Sequence, residues 1–320
     1  MKKNKIKDTG LEISELSFGT SSLGSMPDTY GYEVSEDRAQ KTLNRFFQGP
    51  VNMLDTSRNY AMGESEKRIG RAIKENGGWP KDFLLSTKLD RNMDTLVLDK
   101  NRARESLEES LKTLNVDSVD ILFLHDPEYT KDITDITKKD GAMDELFKIK
   151  NEGLAKAVGV AMGKVDIMFP LLKDWDFDVI INHNRYTLIN REANEMYDYA
   201  SSKNIAIFNA APYAGGVLAK GPDNFKKVTY QDATEEKLAP AREFEKVCKK
   251  HNVELGAAAL QFSLRDNRIT STICGVTSVE SIEKNLAWAN AEISGEFWDE
   301  VLKLPFSSND PESDRVFTPG

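Results

Sequence analysis

The stretch Val51-Asn52-Met53-Leu54-Asp55-Thr56-Ser57-Arg58-Asn59-Tyr60 decides how the rest of the chain is interpreted. Its apolar part, Val51 to Leu54, predicts a buried strand. That strand ends at Asp55, and a short polar turn then brings Tyr60 to the start of a helix. A strand end is a rigid position for a charged group, and the loop after it allows a tyrosine to reach a ligand. We therefore expect a functional site around Asp55 and Tyr60.

Short apolar strands alternate with amphipathic helices along nearly the whole chain. The predicted strands are 16–20, 51–56, 83–89, 118–125, 155–162, 177–183, 205–211 and 271–277. The predicted helices are 36–47, 65–75, 103–114, 143–152, 165–172, 192–202 and 279–289. Strand–helix units in one uninterrupted series predict an α/β protein, a (β/α)8 TIM barrel in a single domain over residues 1–320.

The alternative fold is a doubly wound parallel sheet. That fold usually carries a Gly-x-Gly-x-x-Gly turn after its first strand, whereas Gly19-Thr20-Ser21-Ser22-Leu23-Gly24 lacks the middle glycine. Additions to the barrel are expected as well. They are a hairpin in residues 1–15 over the barrel floor, a long loop at 212–239, helices within 241–267, a final helix at 296–303 and a C-terminal tail at 306–320. A long loop in a compact barrel is often a lid.

The composition sets limits on the partners and the location of the protein. A net charge of −9 argues against nucleic acid or an anionic membrane as a partner. The 2 cysteines are too few for a disulfide framework, and we expect both to be buried thiols. The sequence shows neither a signal peptide nor an apolar run long enough to span a membrane. A cytoplasmic protein is the expectation.

Further polar residues end the neighbouring strands. Lys88 lies near the end of the third predicted strand and His125 ends the fourth. Because all strand ends of one kind open onto one face of a barrel, these side chains should meet Asp55 and Tyr60 there. A buried ammonium from Lys88 would favour the tyrosinate, and Asp55 would balance the ammonium. His125 could orient a substrate oxygen.

This set of groups suits proton transfer at an alcohol or a carbonyl. It holds no nucleophile–base pair for acyl transfer and no cluster with metal-ligand spacing. Hydride transfer would require a nicotinamide, since no side chain supplies a hydride. Each residue also has a plain structural interpretation: a turn carboxylate, a surface aromatic, a snorkelling lysine and a core histidine. The combination of four suitable groups at adjacent strand ends favours the functional interpretation.

Several motifs resemble those of the aldo-keto reductase family over about residues 11–305. They are Asp55-x4-Tyr60, Gly63-x-Ser65-Glu66-x3-Gly70, Ser86-Thr87-Lys88, Val119-Asp120-x4-His125, Val158-Gly159-Val160 and Gly275-x9-Asn285. Further motifs are similar to the branch that oxidises aldoses such as L-fucose and L-galactose, and pyridoxal. These are Leu124-His125-Asp126-Pro127, Arg185-Tyr186-Thr187-Leu188 and Ala210-Ala211-Pro212.

The resemblance implies a barrel that binds NAD or NADP without a Rossmann domain. It implies that Tyr60 is the general acid/base, that Lys88 tunes it, that Asp55 pairs with the lysine, and that His125 orients the substrate. The cofactor contacts that it implies are Gly19, Thr20, His183, Ala211, Gly275, Thr277, Ser281 and Asn285. For an aldose, Tyr60 would take the proton of the lactol C1 hydroxyl while C1–H leaves as hydride, and a lactone would result.

Some positions depart from the family pattern. Ala161-Met162 replaces the serine and asparagine that grip the cofactor carboxamide, His183 replaces a glutamine, and Ala210 replaces a stacking tyrosine. At the positions where members that use NADP carry a cation for the 2′-phosphate, this chain has Gly275 and Ser281. Lys284 is the nearby cation, and Glu280 and Glu283 oppose it. Because a phosphate dianion needs a fixed positive partner, the sequence favours NAD over NADP.

The resemblance leaves alternative functions open. One is an NAD-linked dehydrogenase acting on an aldose or a related aldehyde or alcohol. A second is a general carbonyl reductase that uses NADPH. A third is a non-catalytic barrel that binds the cofactor as a sensor, like the potassium-channel β-subunits of the same family. The particular small-molecule substrate and the oligomeric state are beyond what the sequence predicts.

Overall fold

The computed structural model describes residues 1–313 and residue 315, and its centre is a closed barrel of parallel strands. The strands are β1 (Lys3–Ile6), β2 (Leu11–Ser14), β3 (Leu16–Gly19), β4 (Met53–Asp55), β5 (Leu84–Leu89), β6 (Val119–His125), β7 (Ala155–Met162), β8 (Val179–His183), β9 (Ala206–Ala210), β10 (Lys227–Val228), β11 (Gln231–Asp232) and β12 (Ile269–Gly275). The barrel closes in the order β12-β3-β4-β5-β6-β7-β8-β9. The predicted (β/α)8 fold is therefore confirmed.

Helices surround the barrel and follow its strands. They are α1 (Pro27–Tyr30), α2 (Glu36–Phe46), α3 (Glu64–Glu75), α4 (Lys100–Leu114), α5 (Thr134–Thr137), α6 (Ala142–Asn151), α7 (Val165–Asp174), α8 (Asn194–Ser202), α9 (Val217–Lys220), α10 (Glu235–Lys250), α11 (Leu255–Leu264), α12 (Val279–Ala289) and α13 (Gly295–Val301). Short 3-10 turns lie at Ser21–Gly24, Tyr60–Gly63, Pro127–Tyr129 and Ala214–Gly216. Within the described part of the chain, none of the helices combines the length and the apolar character needed to cross a bilayer.

Two apolar cores hold the barrel together. The larger core lies between the strands and the helices, and the smaller one fills the barrel interior. The hairpin of β1 and β2 contributes Ile6, Leu11 and Ile13 to the smaller core, where they join residues such as Met53 and Phe123. The hairpin side chains therefore close the floor of the barrel, and the opposite end, where the strands terminate, is the end that holds the cavity described below.

The segment at 212–239 differs from the long loop that the sequence predicted. It contains a 3-10 turn, α9 and the β10–β11 hairpin, and α10 begins at Glu235 rather than at 241. Thr234 caps α10, because its hydroxyl accepts a hydrogen bond from the Lys237 N–H. Pro240 lies inside this helix, in its second turn.

The C-terminal segment crosses the mouth of the barrel. Arg185 is fully buried and forms ion pairs with Asp310 and Glu312. The guanidinium of Arg191 lies 4.0 Å from the centre of the Phe306 ring. These contacts fix the described part of the predicted tail at 306–320, while its residues 314 and 316–320 lie outside the described residues.

Candidate active site

A cavity of about 650 Å³ opens at the carboxyl ends of the barrel strands. Asp55 ends β4, Lys88 lies on β5, His125 ends β6, and Tyr60 begins the 3-10 turn after β4. All four side chains line this cavity. The structure therefore brings together the four residues that the sequence proposed for catalysis.

Lys88 and Asp55 form a buried ion pair with complete hydrogen bonding. The Lys88 ammonium donates to Asp55 Oδ1 at 2.9 Å, to Asp55 Oδ2 at 2.8 Å and to the Thr56 carbonyl at 2.6 Å. The Ser86 hydroxyl donates to Asp55 Oδ1 at 2.8 Å. Lys88 is 1% exposed and Asp55 is 4% exposed. Because a buried charge needs full compensation, this pair is held in one geometry.

Tyr60 lies over the ammonium of this pair. Lys88 Nζ is 4.6 Å from the centre of the Tyr60 ring, and the His125 ring meets the phenol edge-on with 5.8 Å between ring centres. The turn that carries Tyr60 packs closely on the loop after β3. A Cβ on Gly24 would lie 2.5 Å from Ala61 Cβ, so that glycine allows the approach.

The protonation of Tyr60 differs from the expectation. Burial first, and the Asp55 carboxylate second, raise the pKa of Tyr60 well above its usual value. The sequence suggested that Lys88 would lower this pKa. Since Asp55 neutralises the Lys88 ammonium and is itself close to the phenol, the pair as a whole does not have that effect. Tyr60 therefore holds its proton at neutral pH in this arrangement.

His125 has a carboxylate partner that the sequence interpretation missed. Its Nδ1 lies 2.6 Å from Asp90 Oδ1, and Asp90 is fully buried. Asp90 follows the last residue of β5, two positions after Lys88. That spacing places both residues on the same side of an extended chain, and it was the signal that could have revealed Asp90.

Asp126 is a second carboxylate at His125. Its Oδ2 lies 3.6 Å from His125 Nε2. Asp126 Oδ1 is buried and has no hydrogen-bond partner among the described residues. Asp126 adopts the left-handed conformation, with φ of 43°. Asp126 lines the cavity beside His125, where an unsatisfied carboxylate oxygen can accept a hydrogen bond from a ligand hydroxyl.

The residues proposed to bind a cofactor lie on one side of the cavity, with one exception. The cavity lining includes Gly19, His183, Ala211, Gly275, Thr277, Ser281 and Asn285. Thr20 is the exception, because it is fully buried and does not line the cavity. Its hydroxyl donates to the Asp55 carbonyl at 2.9 Å, so this side chain supports β4 rather than facing the cavity.

The departures from the family pattern are also visible in the structure. Ala161 and Ala210 line the cavity, whereas Met162 is fully buried in the larger core. Tyr213, three residues after Ala210, also lines the cavity. Its hydroxyl donates to Asn285 Oδ1 at 2.5 Å. Tyr213 therefore supplies an aromatic ring to this side of the cavity that the sequence interpretation did not assign.

The start of α12 carries more positive charge than the sequence suggested. Arg38 projects from α2 and also lines the cavity, where its Nη2 donates to Thr277 Oγ1 at 3.4 Å. Glu283, which was expected to oppose Lys284, is paired with Arg45 at 2.5 Å. Lys284 is therefore not the single cation at this position. Arg38 was missed because it lies 239 positions from Thr277 in the sequence.

Hydrogen bonds within the turn occupy several N–H groups at the start of α12, so an anion there would meet mainly the helix dipole and the nearby cations. Ser278 caps the helix, since its hydroxyl accepts from the Ser281 N–H at 3.1 Å. Ser281 Oγ accepts in turn from the N–H groups of Thr277 and Ser278. The positive end of the helix dipole and the two cations, Arg38 and Lys284, meet at one end of the cavity.

Comparison with known proteins gives consistent matches over most of the chain. Residues 15–304 match the model of the aldo/keto reductase family. The chain is 31% identical over 284 residues to L-galactose dehydrogenase of Arabidopsis thaliana, which covers 88% of this chain and 85% of that protein. It is 28% identical to D-threo-aldose 1-dehydrogenase of a Pseudomonas species, covering 92% of this chain and 94% of that protein.

A solved structure shows the same fold at lower sequence identity. The holo form of an aldo-keto reductase from Bacillus halodurans superposes with a TM-score of 0.78 at 22% identity. The match covers 99% of this chain and 100% of that chain. At this identity the similarity concerns the fold, and the barrel described above is the part that the two structures share.

Proposed function

This chain belongs to the aldo/keto reductase family, as its motifs predicted, and it is an oxidoreductase; on that premise we propose that it transfers hydride between a nicotinamide cofactor and an aldose. The substrate group is the lactol C1 hydroxyl, and the product is the lactone. The names of its relatives, L-galactose dehydrogenase and D-threo-aldose 1-dehydrogenase, support this substrate class. A small-molecule substrate fits a cavity of about 650 Å³.

One observation carries the proposal. The phenol of Tyr60 lies over the ammonium of a buried ion pair and beside the imidazole of His125, inside a cavity. A phenol, an ammonium and an imidazole within a few ångströms of one another are suited to proton transfer at a substrate oxygen. A pair of apolar residues could replace the Lys88–Asp55 pair without loss of stability, so stability alone does not account for this buried ion pair.

The residues on the far side of the cavity fit a nicotinamide dinucleotide. Arg38, Lys284 and the start of α12 suit its phosphates, because they offer two cations and the positive end of the helix dipole. Burial lowers the pKa of His183, so its neutral ring would exchange hydrogen bonds with the carboxamide. Tyr213 and Ala210 would border the nicotinamide ring. When bound, the cofactor supplies the hydride acceptor or donor that no side chain provides.

The protein's own part of the reaction is the movement of a proton. In the reducing direction, Tyr60 Oη gives its proton to the carbonyl oxygen, which agrees with a phenol that is protonated at neutral pH. In the oxidising direction, Tyr60 first gives up its own proton, and the tyrosinate Oη then takes the proton of the C1 hydroxyl. The tyrosinate forms beside the ammonium of Lys88, which Asp55 holds in place.

A substrate panel tests this proposal. The purified protein is mixed with NAD or NADP and with L-galactose, L-fucose, D-arabinose or pyridoxal, and reduced nicotinamide is followed by its absorbance. We expect formation of reduced cofactor with at least one aldose. A folded protein that binds the cofactor but gives no reduced cofactor with any member of the panel would contradict the proposal and would favour a cofactor-sensing barrel.

A second candidate function is the reduction of aldehydes or ketones with NADPH. Arg38 is the observation that favours it, because a cation near Thr277 and Ser281 could pair with a 2′-phosphate. The sequence had favoured NAD because Lys284 was the one cation identified near the expected position of the 2′-phosphate. Affinities for NADH and NADPH, measured with the native protein and with Arg38→Gln, distinguish the two functions. The first candidate predicts that NADH binds at least as tightly as NADPH and that Arg38→Gln weakens both affinities by a similar factor. The second predicts tighter NADPH binding and a selective loss of that preference on substitution.

A further inference from the structure

We propose that Asp90 is a positioning residue that fixes the His125 ring. Nδ1 of the ring carries a proton and donates a hydrogen bond to the Asp90 carboxylate, and Nε2 is left to face the substrate. None of the roles assigned above to the four predicted catalytic residues includes Asp90. The placement of the proton on Nδ1 is a property of the folded protein, and its effect on turnover rests on the proposed function.

The proton must lie on Nδ1 because Asp90 can only accept hydrogen bonds. Asp90 Oδ2 accepts from the Ser57 hydroxyl at 2.5 Å and from the Asn59 N–H at 3.0 Å. Burial alone would raise the pKa of Asp90, but His125 and these two donors hold it below its usual range. An ionised carboxylate has no proton to give. At 2.6 Å from Asp90 Oδ1, His125 Nδ1 is therefore the donor.

The backbone of Asp90 is also fixed by hydrogen bonds, in addition to its side chain. The Asp90 N–H donates to Ser106 Oγ at 2.8 Å, and its carbonyl accepts from Arg102 Nε at 3.1 Å. Both partners lie on α4, which packs against β5. Because Asp90 is fixed both through its backbone and through its carboxylate oxygens, it defines one orientation of the imidazole. Nε2 then lies on the side of Asp126 and the cavity.

The charged groups around His125 act in opposite directions. Asp90 contacts Nδ1, Asp126 lies near Nε2, the Lys88 ammonium is close by, and the Tyr60 phenol meets the ring edge-on. Burial alone would lower the pKa of His125, and Lys88 also lowers it, but Asp126 and Asp90 outweigh both effects, so the pKa is raised. Two carboxylates thus favour the imidazolium on a buried ring.

This arrangement gives Nε2 two roles in turn. Below the pKa of His125, Nε2 carries a proton and donates a hydrogen bond to a carbonyl oxygen, which suits reduction. Above that pKa, Nε2 is a bare acceptor for a substrate hydroxyl, which suits oxidation. Nδ1 remains bonded to Asp90 in both states, so the ring does not have to turn over. We therefore expect the pH optimum for reduction to lie below the optimum for oxidation.

Nitrogen NMR of the histidines tests the geometry without any substrate or cofactor. The chain has 3 histidines, so the signals of His125 in ¹⁵N-histidine-labelled protein are assigned by their loss in His125→Gln. We expect the neutral ring of His125 to carry its proton on Nδ1. We also expect Asp90→Asn to lower the titration midpoint of His125 by about one pH unit or more. A neutral ring protonated on Nε2 in the native protein would overturn the proposal.

Kinetics test the consequence for turnover. Asp90→Asn should lower kcat/KM for the best substrate of the panel by up to about 100-fold. It should also shift the pH profile of kcat/KM towards lower pH. The matched control is Asp178→Asn. Asp178 is also a buried carboxylate, but it is paired with Lys150 before the first residue of β8, at the other end of the barrel.

The control separates positioning from loss of stability. Asp178→Asn should leave the pH profile of kcat/KM in place even if the variant is less stable. Equal loss of activity in both variants, with an unmoved pH profile in Asp90→Asn, would reduce Asp90 to a structural residue and would contradict the proposal. If Asp90→Asn does not fold, the NMR measurement on the native protein still decides where the proton lies. An absence of turnover with the whole panel would count against the proposed function, whereas the NMR result does not depend on turnover.

Discussion

In the proposed reaction Tyr60 moves the proton, and its surroundings determine whether its hydroxyl is protonated at the start. Burial and the Asp55 carboxylate keep its proton in place. The Lys88 ammonium lies 4.6 Å from its ring centre, but Asp55 neutralises it, so the ion pair does not offset this effect. A phenol with these neighbours is a proton donor at neutral pH, and it becomes an acceptor only when further positive charge enters the cavity.

Tyr60→Phe should remove turnover and leave the cofactor bound. The substitution deletes the hydroxyl that moves the proton and keeps the ring that packs on His125. We expect kcat to fall by about 100-fold or more, because a positioned acid or base contributes a factor of that size. The dissociation constant of the cofactor, measured by fluorescence titration, should change little. A variant with more than about a tenth of native turnover would show that another group moves the proton.

Lys88→Met tests the ion pair through stability. The substitution leaves the Asp55 carboxylate buried without its partner, which should lower the free energy of unfolding by about 3–5 kcal/mol. Adding Asp55→Asn removes the stranded charge and should restore part of that loss without restoring activity. Urea denaturation of the three proteins measures both effects. A single variant as stable as the native protein would mean that the pair is not held as described.

The sequence identified most of the charged and aromatic residues that line the proposed catalytic part of the cavity. Asp55, Tyr60, Lys88 and His125 all reach the cavity, because strand ends are rigid and all open on one face. Asp90 and Arg38 were missed for different reasons. Asp90 lies two positions after Lys88 but resembles an ordinary turn carboxylate, whereas the contact of Arg38 with Thr277 depends on how two distant helices pack.

Among the secondary-structure elements, α3 and β5 share a carboxyl group that links stability to pH. Glu66 on α3 is fully buried, and the Thr87 hydroxyl of β5 donates to its Oε1 at 2.6 Å. Burial is the main cause that raises the pKa of Glu66 from 4.5 to about 7. The folded protein therefore keeps this proton over a pH range in which the unfolded chain has already lost it.

Glu66→Gln should remove the resulting pH dependence. Because the folded state binds the proton more tightly, the native protein loses stability as the pH rises from 4.5 to about 7, by about 3 kcal/mol in total. The glutamine variant has no such proton, so the difference in unfolding free energy between the two proteins should drift in its favour over this range. Urea denaturation at several pH values measures the difference. A constant difference would contradict the raised pKa.

The boundaries of strands and helices were predicted well where a local sequence pattern determines them. They were predicted less well where contacts between distant parts of the chain determine them. The β7 strand was predicted with its observed bounds, since its residues after the exposed Lys156 are all small or apolar and buried. The region after β9 was predicted as loop but holds α9, a two-stranded hairpin and the first turns of α10. The short elements in it are held by contacts such as the Thr229 hydroxyl donating to the Pro311 carbonyl, which no local pattern announces.

In the whole molecule, the barrel separates stability from chemistry. The hairpin of β1 and β2 fills the floor, and two apolar cores hold the strands and helices. The charged groups proposed for catalysis line the cavity at the other end, where the described C-terminal segment crosses the mouth. The overall fold followed from the repeated strand–helix pattern alone, whereas the path of the C-terminal segment depends on the buried Arg185 and could not be predicted from that pattern.

The most direct test of the account is to follow the hydrogen itself. An aldose that the protein oxidises is labelled with deuterium at C1, and the reduced nicotinamide formed by the native protein and by Tyr60→Phe is examined by mass spectrometry. The account predicts that the native protein transfers the deuterium to the cofactor and that Tyr60→Phe forms almost no labelled cofactor. Reduced cofactor without deuterium, or equal labelling by the two proteins, would contradict it.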